Sequence, residues 1–165
     1  MSAPTEADEK SESVLYEMCV RGKNYREEYE FEMFGEEVTA LLAPLPDKQF
    51  LPVAGFLKEH LGMDDEEAVE LVEEAKAEAE EAGDDTIDIS KMDEPFVAAM
   101  QRAAACGLKG SHDPDGNVID HDEDEAEQMV GMMVGGYSVE LGGKVLELSG
   151  DVRDATKFRG SRGSI

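Results

Sequence analysis

The sequence predicts an α+β protein, mostly helical, with a small N-terminal β-hairpin or strand unit and disordered termini. Three observations lead there. The stretch "YREEYEFEM", from Tyr25 to Met33, places Tyr29, Phe31 and Met33 on one side and Glu28, Glu30 and Glu32 on the other, the period of a half-buried strand. Residues 63–83, "MDDEEAVELVEEAKAEAEEAG", are dense in strong helix formers. Between Met129 and Leu148 apolar residues recur every three or four positions, which is helical spacing.

At 165 residues the chain fits one domain and can bury a core. Its organisation reads as a disordered arm over 1–12, a single domain over 13–150 and a flexible basic tail over 151–165. Forty acidic residues face fifteen basic ones, a formal charge of -25, while 41% of the residues are hydrophobic. That apolar content excludes a purely solvated acidic tail. The charge opposes compaction in dilute buffer. In molar salt the Debye length shrinks to about 3 Å and the repulsion fades. The composition thus predicts a halophilic protein, cytoplasmic in its host, whose acids serve hydration and solubility. An acidic nucleic-acid mimic is the rival reading, but the acids are spread along the whole chain. No basic start followed by an apolar run suggests a secretory signal, and no apolar stretch is long enough for a membrane span. Cys19 and Cys106 show neither CxxC nor Cys/His spacing, and both are expected as free thiols.

Along the chain, Phe34-Gly35 offers a turn and "EEVTALL" a returning strand. Asp47 is placed to cap a helix carrying Phe50, Val53, Phe56, Leu57 and Leu61, with Pro52 in or near its first turn. The acidic helix that follows starts at Asp64-Asp65, where the helix dipole favours negative charge, and stops at Gly83. Thr86–Ile89 reads as a short strand. Pro95 then opens a helix whose buried face is Phe96, Val97, Met100, Ala103, Ala104 and Leu108. The segment from Glu123 to Gly150 favours one long helix, its glycines marking close packing or a break. A hairpin across Gly142-Gly143 is the alternative.

The stretch "GSHDPDGNVIDHDEDE" carries the sharpest chemical question. With Gly116 at the sixth position of a calcium loop, Asp113, Asp115, Asn117 and Asp122 fall at positions three, five, seven and twelve. These four are the candidate metal ligands, and weak Ca2+ is the one cofactor in view. Ser111 stands where the first acidic ligand belongs, and Asp122 is shorter than the usual bidentate glutamate. The competing reading is a type I turn at Asp-Pro-Asp-Gly, with Asp122 or Asp124 capping the next helix. His112 and His121 match no compact zinc spacing. No phosphate loop and no recognisable nucleophile setting is present, so no catalytic residue is assigned.

Two stretches carry a family resemblance. "YEFEMFGEEVTALLAPLPDKQFLPVAGFLKEH" resembles the N-terminal part of tail assembly chaperones from long-tailed viruses. "VLELSGDVRDATKFRG" resembles their C-terminal end, where a helix finishes at Leu-Ser-Gly. With the salt-adapted composition, the likeness points to a virus of a halophilic archaeon. It implies a strand unit around the Phe-Gly turn, then helices, and a non-catalytic role. Such a chaperone binds the tape-measure protein, or other tail proteins, and keeps it soluble before the tail tube forms; self-association is a further option. Met129, Met132, Met133 and Tyr137 are then the expected partner-binding residues, because methionine gives adaptable apolar surface for helical clients. Filling of the core by these methionines is the plainer alternative. A virion connector or tail-completion component, and a calcium-binding regulator, are the rival functional classes.

The charge argument predicts that structure grows with salt. Circular dichroism during refolding from dilute buffer to molar KCl should show helix content rising, and full structure without added salt would contradict it.

Overall fold

A computed structural model describes residues 13–152. The expected arm at 1–12 and nearly all of the expected tail lie outside the described residues. The described chain runs α1 (Val14–Asn24), β1 (Glu27–Met33), β2 (Glu36–Leu42), α2 (Asp47–Leu61), α3 (Asp65–Glu81), a 3-10 turn (Ile89–Lys91), α4 (Glu94–Gly107), β3 (Leu108–His112), β4 (Val118–Asp120), α5 (Glu123–Met132) and α6 (Tyr137–Asp151). The four strands form one antiparallel sheet in the order β1-β2-β3-β4. The expected α+β, mostly helical class is what the structure has. Among the described residues no helix is long and apolar enough to cross a membrane.

The N-terminal hairpin follows the alternation in the sequence. Phe31 lies opposite Val38 and Tyr29 opposite Ala40, so the apolar sides of β1 and β2 share one face. Phe34 and Gly35 both take positive φ, 54° and 79°, the two-residue turn whose twist matches paired strands. For a bulky residue such as Phe34 that backbone is unusual.

The helices are set by local signals and then by burial. Asp64 and Glu67 form a reciprocal capping box at the start of α3, with Glu67 N–H to Asp64 Oδ1 at 2.8 Å. In α2 the N-cap is Pro46, not Asp47, and Asp47 is already helical. Pro52 stands inside that helix rather than in its first turn, on an exposed side where the missing N–H is easily solvated. The strand expected at Thr86–Ile89 does not form. Asp88 instead accepts bonds from the N–H and hydroxyl of Ser90, and this local bonding turns the chain into the 3-10 segment.

Helix α6 is the centre of the molecule. Eleven of its fifteen residues are buried, and it packs on α4 and α3 while α4 also meets α2 and α5. A helix buried nearly all round needs small residues where backbones approach. A methyl group at Gly142 would overlap the carbonyl oxygen of Met100 in α4, and one at Gly143 would lie 2.6 Å from Val72 of α3. The long helix expected over 123–150 is therefore helical at 137–151, as favoured, but broken before it. Gly135 and Gly136 take φ of 71° and 84°, and the chain bends between α5 and α6. The hairpin alternative at Gly142-Gly143 is not formed.

One polar cluster ties α6 to the sheet. Tyr29 donates its hydroxyl to Glu140 Oε2 at 2.6 Å, and Lys76 Nζ of α3 donates to the same phenol oxygen at 2.6 Å. Lys76 also lies 3.4 Å from the buried Glu140 carboxylate. Burial, and then the bond and charge of Glu140, push the Tyr29 phenol far above its ordinary range. It therefore stays protonated, and a donor to Glu140, at neutral pH.

Gly142→Ala should destabilise the protein by about 3 kcal/mol or more, because neither backbone can yield. Gly55→Ala, on an open helix face with no atom within 4 Å, should instead stabilise it by roughly 0.5–1 kcal/mol. Urea unfolding measures both. For Tyr29→Phe the expected loss at neutral pH is about 1–3 kcal/mol, since the buried Glu140 keeps only the longer contact with Lys76. The sign with pH follows from the raised phenol pKa. The Tyr29 contribution is complete below the ordinary phenol value of 10.0 and is lost as the pH climbs above it. Wild-type stability should thus fall more steeply on the alkaline side than that of Tyr29→Phe.

Candidate functional site

The inner face of the sheet, the end of α5 and the start of α6 enclose an apolar groove of about 320 Å³. Its floor is the inner face of the sheet, with Phe31 and Met33 from β1, Val38 and Ala40 from β2, and Leu108 at the start of β3. One wall is the end of α5 and the bend after it, carrying Met129, Met132, Met133 and Val134; Tyr137 and Leu141 of α6 close the far side. All four residues expected to bind a partner, Met129, Met132, Met133 and Tyr137, are thus brought to one place. They divide by exposure. Tyr137 is buried, Met129 and Met133 are half-buried against the core, and Met132 is 73% exposed. Core filling and an open surface are both realised, by different members of the set.

The rim includes residues that sequence reasoning did not single out. Phe34, 74% exposed, stands at the hairpin tip with its ring edge-on to Tyr137 at 5.9 Å. Its backbone N–H also points to the Tyr137 hydroxyl at 3.4 Å, a contact that helps hold the positive-φ turn. Val134 is 62% exposed in the bend. Large contiguous apolar surface of this kind marks interaction sites in soluble proteins. The signal available in the sequence was the bulky Phe34 where a turn prefers Asn or Gly.

At the groove edge, Ser111 Oγ lies 2.7 Å from His121 Nε2, and His121 Nδ1 lies 3.4 Å from Glu125 Oε2. The order serine, histidine, carboxylate is that of a nucleophilic relay. Ser111, however, sits on a central strand paired on both edges, to Ala40 and to Ile119, so its backbone serves the ladder rather than a developing oxyanion. Here the chain of bonds fastens the start of α5 to β3.

The acidic loop has a different setting from the one the calcium reading requires. Strands flank it, not helices: β3 and β4 form a hairpin, and Asp-Pro-Asp-Gly is its tip. Leu108, expected on the preceding helix, opens β3 and is buried there. Asp113 Oδ1 accepts the backbone N–H groups of Asn117 and Asp115, each at 2.9 Å. Those bonds, Asn117 first, hold its carboxyl below the usual range. Asp122 caps α5 by accepting Glu125 N–H at 2.8 Å. Asp115 and Asn117 project from the exposed tip. Two of the four expected ligands are therefore engaged with backbone at opposite ends of the hairpin. Among the described residues no group of three or more His, Cys, Asp or Glu is placed to hold a metal ion.

Of the other sequence-flagged groups, Cys106 is half-buried on α4, where burial raises its thiol pKa, and Cys19 is exposed on α1. His112 approaches Glu28 at 3.5 Å on the sheet, and the ring of His60 packs on Phe56 at 4.3 Å. No family model, curated protein or solved structure matches this chain.

Proposed function

We propose that this protein is a non-catalytic tail assembly chaperone of a long-tailed virus, acting in the host cytoplasm, whose groove holds apolar helical segments of the tape-measure protein. The observation that carries the reading is the groove itself: flexible methionines at its wall, aromatic rings at its tip, and an open, dry floor between. Such a surface suits helices presented in many sequences, because thioether side chains repack around each one. The acids elsewhere on the surface keep the coated client in solution. The resemblance in the hairpin and in the C-terminal segment supports the same class.

Co-expression tests it. The tape-measure candidate should stay soluble with the wild-type chain and precipitate with a Met132→Glu, Val134→Glu variant whose circular dichroism is unchanged. Equal solubility with and without the chain would remove the proposal. Mass spectrometry of purified particles separates the chaperone from a virion component, because a chaperone should be nearly absent from them.

A further inference from the structure

A second surface on the same chain is left uncovered. Helix α1 buries none of its eleven residues. Val14, Leu15, Met18 and Cys19 recur at helical spacing on one side, with Leu15 75% exposed, and the Glu17–Arg21 pair, 3.6 Å apart, flanks that side. An eleven-residue helix with that composition is too short to be stable in water by itself. Its exit from the sheet is nevertheless fixed. The Arg26 guanidinium donates to the carbonyls of Lys23 and Tyr25 at 2.7 and 2.8 Å, pinning the end of α1 at the start of β1. The groove opens at the other end of β1, beside Met33, about 20 Å along the strand.

We infer that α1 of one copy docks into the apolar groove of a second copy, joining chains head to tail. The two uncovered apolar surfaces lie at opposite ends of the same hairpin, the disposition that a heterologous contact uses. Their charges are complementary in a chain that is otherwise strongly anionic. Lys23 and Arg26 add positive charge at the end of α1, beyond the Glu17–Arg21 pair. Glu36 lies opposite Met33 in the register, and Glu125, which also faces His121, is one helical turn before Met129. The apolar face of α1 would meet the methionine wall while its basic end meets these carboxylates. The inference does not rest on the proposed client, and the same groove would have to exchange α1 for any client it takes.

The test uses the full-length protein alone, in molar KCl, by sedimentation over a concentration series. The wild type should grow in mass with concentration. Leu15→Glu, which spoils α1, and Met132→Glu, which spoils the groove, should each remain monomeric with wild-type circular dichroism. Mixed in equal amounts they should form one-to-one dimers and nothing larger, because one supplies an intact groove and the other an intact α1. Cys19 labelling provides the second readout. The thiol of Met132→Glu should react several-fold faster than that of the associated wild type, and slow again when Leu15→Glu is added. A wild type that is monomeric at all concentrations overturns the inference, as does a variant that still assembles or a mixture that forms no dimer. A monomer whose Cys19 is nonetheless protected would show α1 folded onto its own groove, which also overturns it.

Discussion

The approach of α6 to α4 at Gly142 is the constraint from which the rest of the architecture follows. Two helix backbones come so close there that the carbonyl of Met100 fills the place of a side chain. With α6 held at that depth, its other sides must be covered. Gly143 admits Val72 of α3, and Gly107 admits Val145 where α4 gives way to β3. Close packing of this kind converts small residues into dispersion contacts along the whole helix, at the cost of helix propensity. The glycines that argue against a helix locally are what let it be central globally.

The sheet is attached to this helical unit by apolar contact and by polar bonds, chief among them the cluster at Glu140. Glu140 is a carboxylate on the buried helix, and it is tolerated because Tyr29 and Lys76 satisfy it from two other elements. That arrangement, with the contact of Phe34 on Tyr137, sets the hairpin against the start of α6. Both elements line the groove. The bend at Gly135-Gly136 supplies its wall by stopping α5 and sending Val134 outward.

Legibility in the sequence tracked how much of each element's signal was its own. The β1 alternation, the capped acidic helix α3 and the helical spacing from Tyr137 onward were readable because each repeats a period over many residues. The four groove residues were named from the resemblance and from methionine chemistry rather than from a period, and the structure lines one groove with them. Helix α1 escaped because its apolar spacing runs for barely three turns and buries nothing in the core. The β3–β4 hairpin escaped because β4 is three exposed residues long, and its pairing partner begins directly at the end of α4. Thr86–Ile89 had strand composition, but a single aspartate-to-serine bonding pattern outweighed it. The calcium-like spacing was real as a string of letters. Its first flank proved to be a strand, and two of its three aspartates, Asp113 and Asp122, accept from backbone donors.

Phe34 is where local and global preferences part. The turn geometry would be met more comfortably by asparagine or glycine, yet a large ring stands there, propped by Tyr137 and turned to solvent. Drift toward a better turn would erase the aromatic tip without disturbing the fold beneath it. The identity of this single position in any sister sequence is therefore a gauge of selection on the hairpin tip: an aromatic retained there marks a surface still in use, and a glycine marks one released.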